Sequence, residues 1–311
     1  MENDIGIFRF SEDREKPEMS NVAVVTDSNS GITPEMGKEL GCYIVPMPFM
    51  FGNSDTTYYE NVNLTRDQFF DKMESGEVVH TSQPAPNEVL KVWDEALKDH
   101  DEVVYIPMSS GLSGSCQSAR MLSADYDGKV EVVNNQRISV TQRASVLDAV
   151  ELAKRGKTAA EIREILEKVK FDSSIYIMLD TLVYLKRGGR ITPAAAAIGT
   201  LLRIKPVLQI KGERLDAFSK ARTTAQGKTT MINAMRNDME KLYGGTAEET
   251  CWLYAVHANV PDEKAVWQKE VQDAFPNFHV RPDRLSLSIC CHIGPGALAI
   301  ACSRKLDYDK L

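Results

Sequence analysis

The chain has 311 residues, 43% of them hydrophobic, and a formal net charge of −7. That length accommodates two domains of ordinary size, and the acidic balance argues against general nucleic-acid binding, which needs a basic field. Six cysteines without a C-x-x-C pair read as buried thiols of a reducing cytoplasm, and no apolar stretch reaches the roughly 18 residues of a membrane span.

Residues 1–20 are acidic, lack an apolar h-region and read as an N-terminal extension, not a signal peptide. "VAVVTD" (22–27) is a short buried strand that ends in the polar turn "SNSGIT". Pro34 suits the first turn of a helix that Gly41 stops. "YIVPMPFMF" (43–51) reads as one strand whose prolines mark an edge or a bend. A helix over 64–76 capped by Thr65, a proline-interrupted loop "HTSQPAP" (80–86) and a helix over 86–100 follow. "EVVYIPM" (102–108) and "KVEVV" (129–133) are strands, and helices are predicted at 140–155 and 158–170. This alternation of strand and helix predicts a parallel sheet with helices on its faces. Beyond residue 170 the texture changes. A strand (174–179), a helical stretch (181–202) broken at Gly188–Gly189, a hairpin (205–220) about Gly212 and a long helix (221–243) are predicted in turn. Strands at 251–256, 278–283 and 297–302 and a helix near 261–274 complete the chain. The fold class is α/β: an N-terminal parallel-sheet domain with flanking helices (21–170) plus a C-terminal α+β domain (171–311).

Polar turns recur where apolar runs end: "TDSNSG" (26–31), "HTSQP" (80–84) and "MSSGLSG" (108–114). In an open parallel sheet, ligands bind beyond the carboxyl ends of the strands. Each turn also has a plain reading as turn and cap residues. The strand, hydroxyl-rich turn and helix around "MSSGLSGS" (108–115) is a layout that offers N–H groups and hydroxyls to an anion. It is also close to the G-x-S-x-G elbow of a serine hydrolase. The register Gly111-Leu112-Ser113-Gly114-Ser115 lacks the final glycine, and behind an imagined base at His292 no acid stands in the expected order.

Gly294-Pro295-Gly296-Ala297-Leu298-Ala299 matches G-x-G-x-x-A, but a strand follows it and the chain ends at 311, so it is not a dinucleotide fingerprint. Cys290, Cys291 and His292 read as adjacent strand residues facing opposite sides, without zinc spacing. No metal is expected. In "YLKRGGRI" (184–191) the glycine pair permits a sharp turn. Arg190 there can grip a carboxylate or phosphate bidentately, or simply follow a helix stop into solvent.

Taken in order, "VVTDSNSGIT", "TSQPAP", "IPMSSGLSGSCQSA", "LKRGGRI", "IGTLLRIKPVL", "KART" and "HIGPGALA" span about residues 22 to 299. Together they resemble the DegV family of bacterial fatty-acid-binding proteins. The acidic extension departs from that pattern, as does Ala85, where a serine is common. The resemblance implies a two-domain α/β protein that buries a long-chain acyl group, with its carboxylate near the domain junction. It further implies the lipid-binding subunit of a fatty acid kinase, without catalytic residues of its own. A separate ATP-dependent subunit would convert the bound acid to acyl phosphate for phospholipid synthesis. Carried over residue by residue, the carboxylate contacts are Thr81 and a serine of the turn, Ser109 or Ser110. Arg190 and His292 form the supporting polar network, with Asp27 and Ser28 near the same rim.

Ala194 to Ala197 and Gly199 either leave room for the acyl chain or pack a helix face. The basic stretch 218–230, carrying Lys220, Arg222 and Lys228 and no acid, is expected to dock the kinase, with Arg222 as the main contact. The fatty acid is the ligand and no cofactor is expected. Transient membrane contact stays open, and the location is cytoplasmic. The rival readings are an acyl hydrolase or transferase using Ser113, and a lipid carrier or sensor without a kinase partner.

Overall fold

The computed structural model describes residues 21–190, 192 and 204–311. The extension at 1–20 and the small residues at 194–197 and 199 lie outside them. The first strand, β1 (Val22–Asp27), is buried along its whole length, as an unbroken apolar run in a parallel sheet should be. It pairs in parallel with β2 (Cys42–Val45) on one side and β5 (Glu102–Ile106) on the other; β5 in turn pairs with β6 (Val130–Val132). The order β2-β1-β5-β6 sends all four carboxyl ends to one rim. Helix α1 (Pro34–Leu40) has Thr33 as N-cap and Pro34 in its first turn. It shares one face of the sheet with α5 (Ser139–Lys154) and α6 (Ala159–Lys168). α3 (Pro86–Ala96), through Trp93, and α4 (Ser115–Ser123) cover the other face.

The stretch 43–51 is not one strand. Pro46 and Pro48 cannot donate to a ladder, and they divide it into β2 and β3 (Phe49–Phe51). β3 leaves the parallel sheet and pairs antiparallel with β4 (Val79–Thr81). Thr81 therefore closes a short strand, Phe49 opposite it, where a loop was expected. α2 (Arg66–Glu74), started by a capping box of Thr65 and Gln68, packs Phe69 against Phe49 and Phe51.

The second sheet has six strands in the order β11-β10-β12-β7-β8-β9. They are β7 (Ser173–Met178), β8 (Lys205–Ile210), β9 (Leu215–Ala221), β10 (Cys251–Ala258), β11 (Arg281–Arg284) and β12 (Ala297–Arg304). Only β10 and β11 run parallel. Alternation along the strands sorts the two faces. Leu298, Ile300 and Cys302 meet α8 (Thr224–Leu242) and α9 (Lys264–Ala274) in a dense core with Met231, Met235 and Trp267. Ala297, Ala299 and Ala301 face the opposite way, toward β3, α2, α7 (Val183–Gly188) and α10 (Leu287–Ile293). Phe49, Phe51, Phe69 and Phe70 thus belong to one apolar cluster with the second sheet. Cys290, Cys291 and His292, expected on a strand, sit on α10. All six cysteines are free and buried.

Candidate functional site

The carboxyl rim of the parallel sheet faces the alanine side of the six-stranded sheet across a cavity lined by both sheets. Its body is apolar. Ile175 and Ile177 of β7 stand opposite Ala301 and Ala299 of β12, and the small alanines leave space that larger side chains would fill. Met108, Leu112 and Val140 close the cavity from the first sheet. Polar side chains collect at one end: Thr81, Ser82, Gln83, Ser113, Arg190 and His292. Ser82, Gln83 and Arg190 are exposed, so this end reaches solvent while Ile177, Val256 and Ala299 lie buried.

Thr81 and His292, expected together, are joined: Thr81 Oγ1 lies 2.8 Å from His292 Nε2. Burial drives the His292 pKa down to about 4, and the Arg190 charge adds to the effect. The ring is neutral at physiological pH and carries one N–H. Placed on Nε2, that hydrogen is donated to Thr81, and the threonine hydroxyl keeps its own hydrogen for an acceptor in the cavity. Placed on Nδ1, it would turn Thr81 away from any anion. Nδ1 has no partner among the described residues and rests against Gly188. A Cβ at residue 188 would stand 2.1 Å from Nδ1, so the absent side chain of this glycine makes room for the imidazole. Arg190 follows the glycine pair, is exposed and donates to the Gly188 carbonyl.

The serine turn divides its labour differently from the expectation. Ser109 is buried, and its hydroxyl donates to the Glu213 carbonyl at 2.7 Å on the β8–β9 hairpin. It fastens the two sheets together and does not line the cavity. Gly111 touches the same hairpin; a Cβ there would lie 2.5 Å from the Glu213 oxygen. Ser110 does not line the cavity either. Ser113 does. Its oxygen accepts from the Ser115 backbone N at 3.2 Å and stands 2.5 Å from the Ser115 hydroxyl, which leaves its hydrogen available when Ser115 donates. No imidazole is bonded to Ser113 among the described residues, so the nucleophile and base that hydrolysis needs are not paired.

Asp27 and Ser28 are structural supports behind the rim. Asp27 is fully buried and accepts from Met108 N (2.7 Å), Asn29 N (2.9 Å) and Gln142 Nε2 (3.2 Å). Burial lifts its pKa to about 6 against those hydrogen bonds. Ser28 accepts from Met47 N. Neither lines the cavity. Asn29, the next residue in the chain, does line it, and sequence reasoning missed it along with Ser139 and Ser288. The alternation of alanine with larger residues in "ALAIAC" (297–302) was the legible signal for the cavity floor. Arg222 is exposed and distant in kind: it precedes α8, and its backbone N donates to Gln226. Lys228, expected beside it on the surface, is buried and bridged to Glu263 and Glu270.

Among the described residues no helix is long and apolar enough to cross a membrane, and no cluster of metal-ligating side chains occurs. Residues 21–305 match a family described as uncharacterised DegV-family proteins. Protein DegV of Bacillus subtilis is 31% identical over 284 residues, which cover 90% of this chain and 98% of that protein. A DegV family protein from Thermus thermophilus, described for its fatty acid binding, superposes with a TM-score of 0.82 at 30% identity, over 92% of this chain and 100% of the other. DegV from Bacillus subtilis, described as a fatty acid binding protein, gives 0.80 at 30% identity with the same coverage. An α/β rim set over an alanine-floored sheet, with a polar end built on Thr81 and His292, thus occurs in a chain that belongs to the DegV family.

Proposed function

We infer that the protein binds one long-chain fatty acid, its tail in the apolar cavity and its carboxylate at the polar end. The observation that carries this reading is the graded cavity itself, with Thr81, Ser113, Arg190 and His292 at its solvent end and Ile175, Ile177 and the β12 alanines within. The two similar structures from Thermus thermophilus and Bacillus subtilis are those of fatty-acid-binding proteins, which supports it. A tail with about 14 methylenes gains roughly 11 kcal/mol on burial, at about 0.8 kcal/mol each, before ordering costs. The tail therefore supplies affinity. Hydrogen bonds from Thr81 and Ser113 and the charge of Arg190 offset the desolvation of the carboxylate and set its orientation. Ser113 takes the role expected of Ser109 or Ser110.

The same reading extends to presentation of the carboxylate to a separate ATP-dependent kinase subunit that forms acyl phosphate. Arg222, exposed and without an ion-pair partner among the described residues, is the proposed contact. An arginine central to an interface can contribute about 2 kcal/mol or more. Organic extraction and mass analysis of the purified protein test the first step: a near-stoichiometric long-chain acid is expected, and its absence together with no binding of added palmitate would end the proposal. Arg222→Ala tests the second. Lipid content should stay normal while ATP-dependent acyl phosphate formation with the cognate kinase falls; unchanged phosphorylation refutes the role.

A further inference from the structure

The cavity lining holds a second set of polar side chains, buried where Ser82, Gln83 and Arg190 are exposed. Asn29, Ser139 and Ser288 all line it, and each is more than nine-tenths buried. Asn29 Oδ1 accepts from the hydroxyls of Ser288 and Ser286, which fixes the direction of its amide. Its Nδ2 then has one partner among the described residues, the Met108 thioether at 2.9 Å. A thioether is a weak acceptor, and an amide nitrogen carries two hydrogens. Ser139 Oγ has no hydrogen-bond partner among the described residues. Its backbone lies at φ 57°, a conformation disfavoured for a residue with a side chain and found where ligands are clamped. The helix it starts, α5, packs against the turn that carries Asn29. An apolar chain alone would leave these donors unpaired in a cavity built from Ile, Leu and Ala, and buried donors are rarely left so.

Position follows from α10. Ser288 and His292 are four residues apart on one helical face, about 6 Å along the axis. Ile289 and Ile293 line the same cavity. The inner polar set is thus one turn from the head-group histidine, close to the carboxyl end of a bound acid. We propose that Asn29 and Ser139, held by Ser288, form a second recognition point for an oxygen on the acyl chain near its carboxyl end, so that the protein accepts oxygenated acids such as β-hydroxy acids. The proposal rests on the fatty-acid reading above and assigns it a substrate class.

Lipid-free protein is titrated with palmitate and with β-hydroxypalmitate. The hydroxy acid is expected to bind at least as tightly as palmitate. Asn29→Leu should lower its affinity relative to palmitate by about three- to tenfold, the worth of one hydrogen bond. Because Asn29 also holds α10, Ser139→Gly provides the same ratio in a variant whose backbone suits the positive φ. A wild-type preference for palmitate of more than about tenfold, or an unchanged ratio in the variants, overturns the proposal and leaves fatty-acid binding standing. Failure of both acids to bind overturns both.

Discussion

Replacing Gly188 with alanine adds one methyl group at the most crowded point of the head-group site. The new Cβ would lie 2.1 Å from His292 Nδ1, 2.7 Å from Cε1 and 3.3 Å from Cγ. Ordinary contact needs well over 3 Å, so the ring must retreat by more than 1 Å. Its bond to Thr81, 2.8 Å long, cannot survive that movement within hydrogen-bond range. The backbone offers no compensating objection: residue 188 closes α7, and alanine is about 1 kcal/mol more favourable than glycine in a helix. The effect should therefore fall on the site. Without the imidazole to orient it, Thr81 loses its directed bond to a carboxylate, worth about 1.5–3 kcal/mol, or about a ten- to hundredfold loss of fatty-acid affinity. Fluorescence displacement or calorimetry on lipid-free protein measures it, with thermal denaturation as the control. Affinity within about twofold of wild type, at unchanged melting temperature, would refute the role given to His292.

Ser113→Ala should weaken lipid retention with little change in stability, whereas Ser109→Ala should lower stability by about 1–3 kcal/mol, because it strips the Glu213 contact; denaturant titration alongside extraction separates the two. Gly111→Ala should destabilise by about 1–3 kcal/mol, since the opposing atom at 2.5 Å is a backbone carbonyl that cannot swing away; a midpoint equal to wild type would contradict the close approach. The His292 pKa falls from 6.5 to about 4 on folding. Between those values the unfolded chain binds more protons, so stability must fall on acidification. The part due to His292 is about 2 kcal/mol between pH 7 and pH 5, and it should appear as the pH dependence of the stability difference between wild type and His292→Gln; a difference that stays constant from pH 7 to pH 5 refutes the lowered pKa.

Much of the architecture was legible along the chain because it depends on local periodicity and caps. The buried run of β1, Pro34 in a first helical turn, the Thr65 cap and the hairpin after Lys205 are all short-range signals, and the DegV motifs named Thr81, Arg190 and His292 before their meeting could be seen. What short-range signals could not carry was partnership. Pro46 and Pro48 announce a break, but that β3 crosses to serve the other sheet's core depends on where Phe69 and Leu285 stand. "SICCHI" (288–293) reads as a strand from the sequence, because periodicity cannot separate strand from helix over so few apolar residues; it is a helix, and Glu60 accepts from the Leu287 N–H at its start. The serine turn shows the same division. Sequence alone established a hydroxyl-rich turn at the end of a strand. Only the tertiary structure assigned Ser109 to Glu213 and left Ser113 facing the cavity, because a hydroxyl's role is set by the partner within about 3 Å of it, and that partner is 104 residues away along the chain.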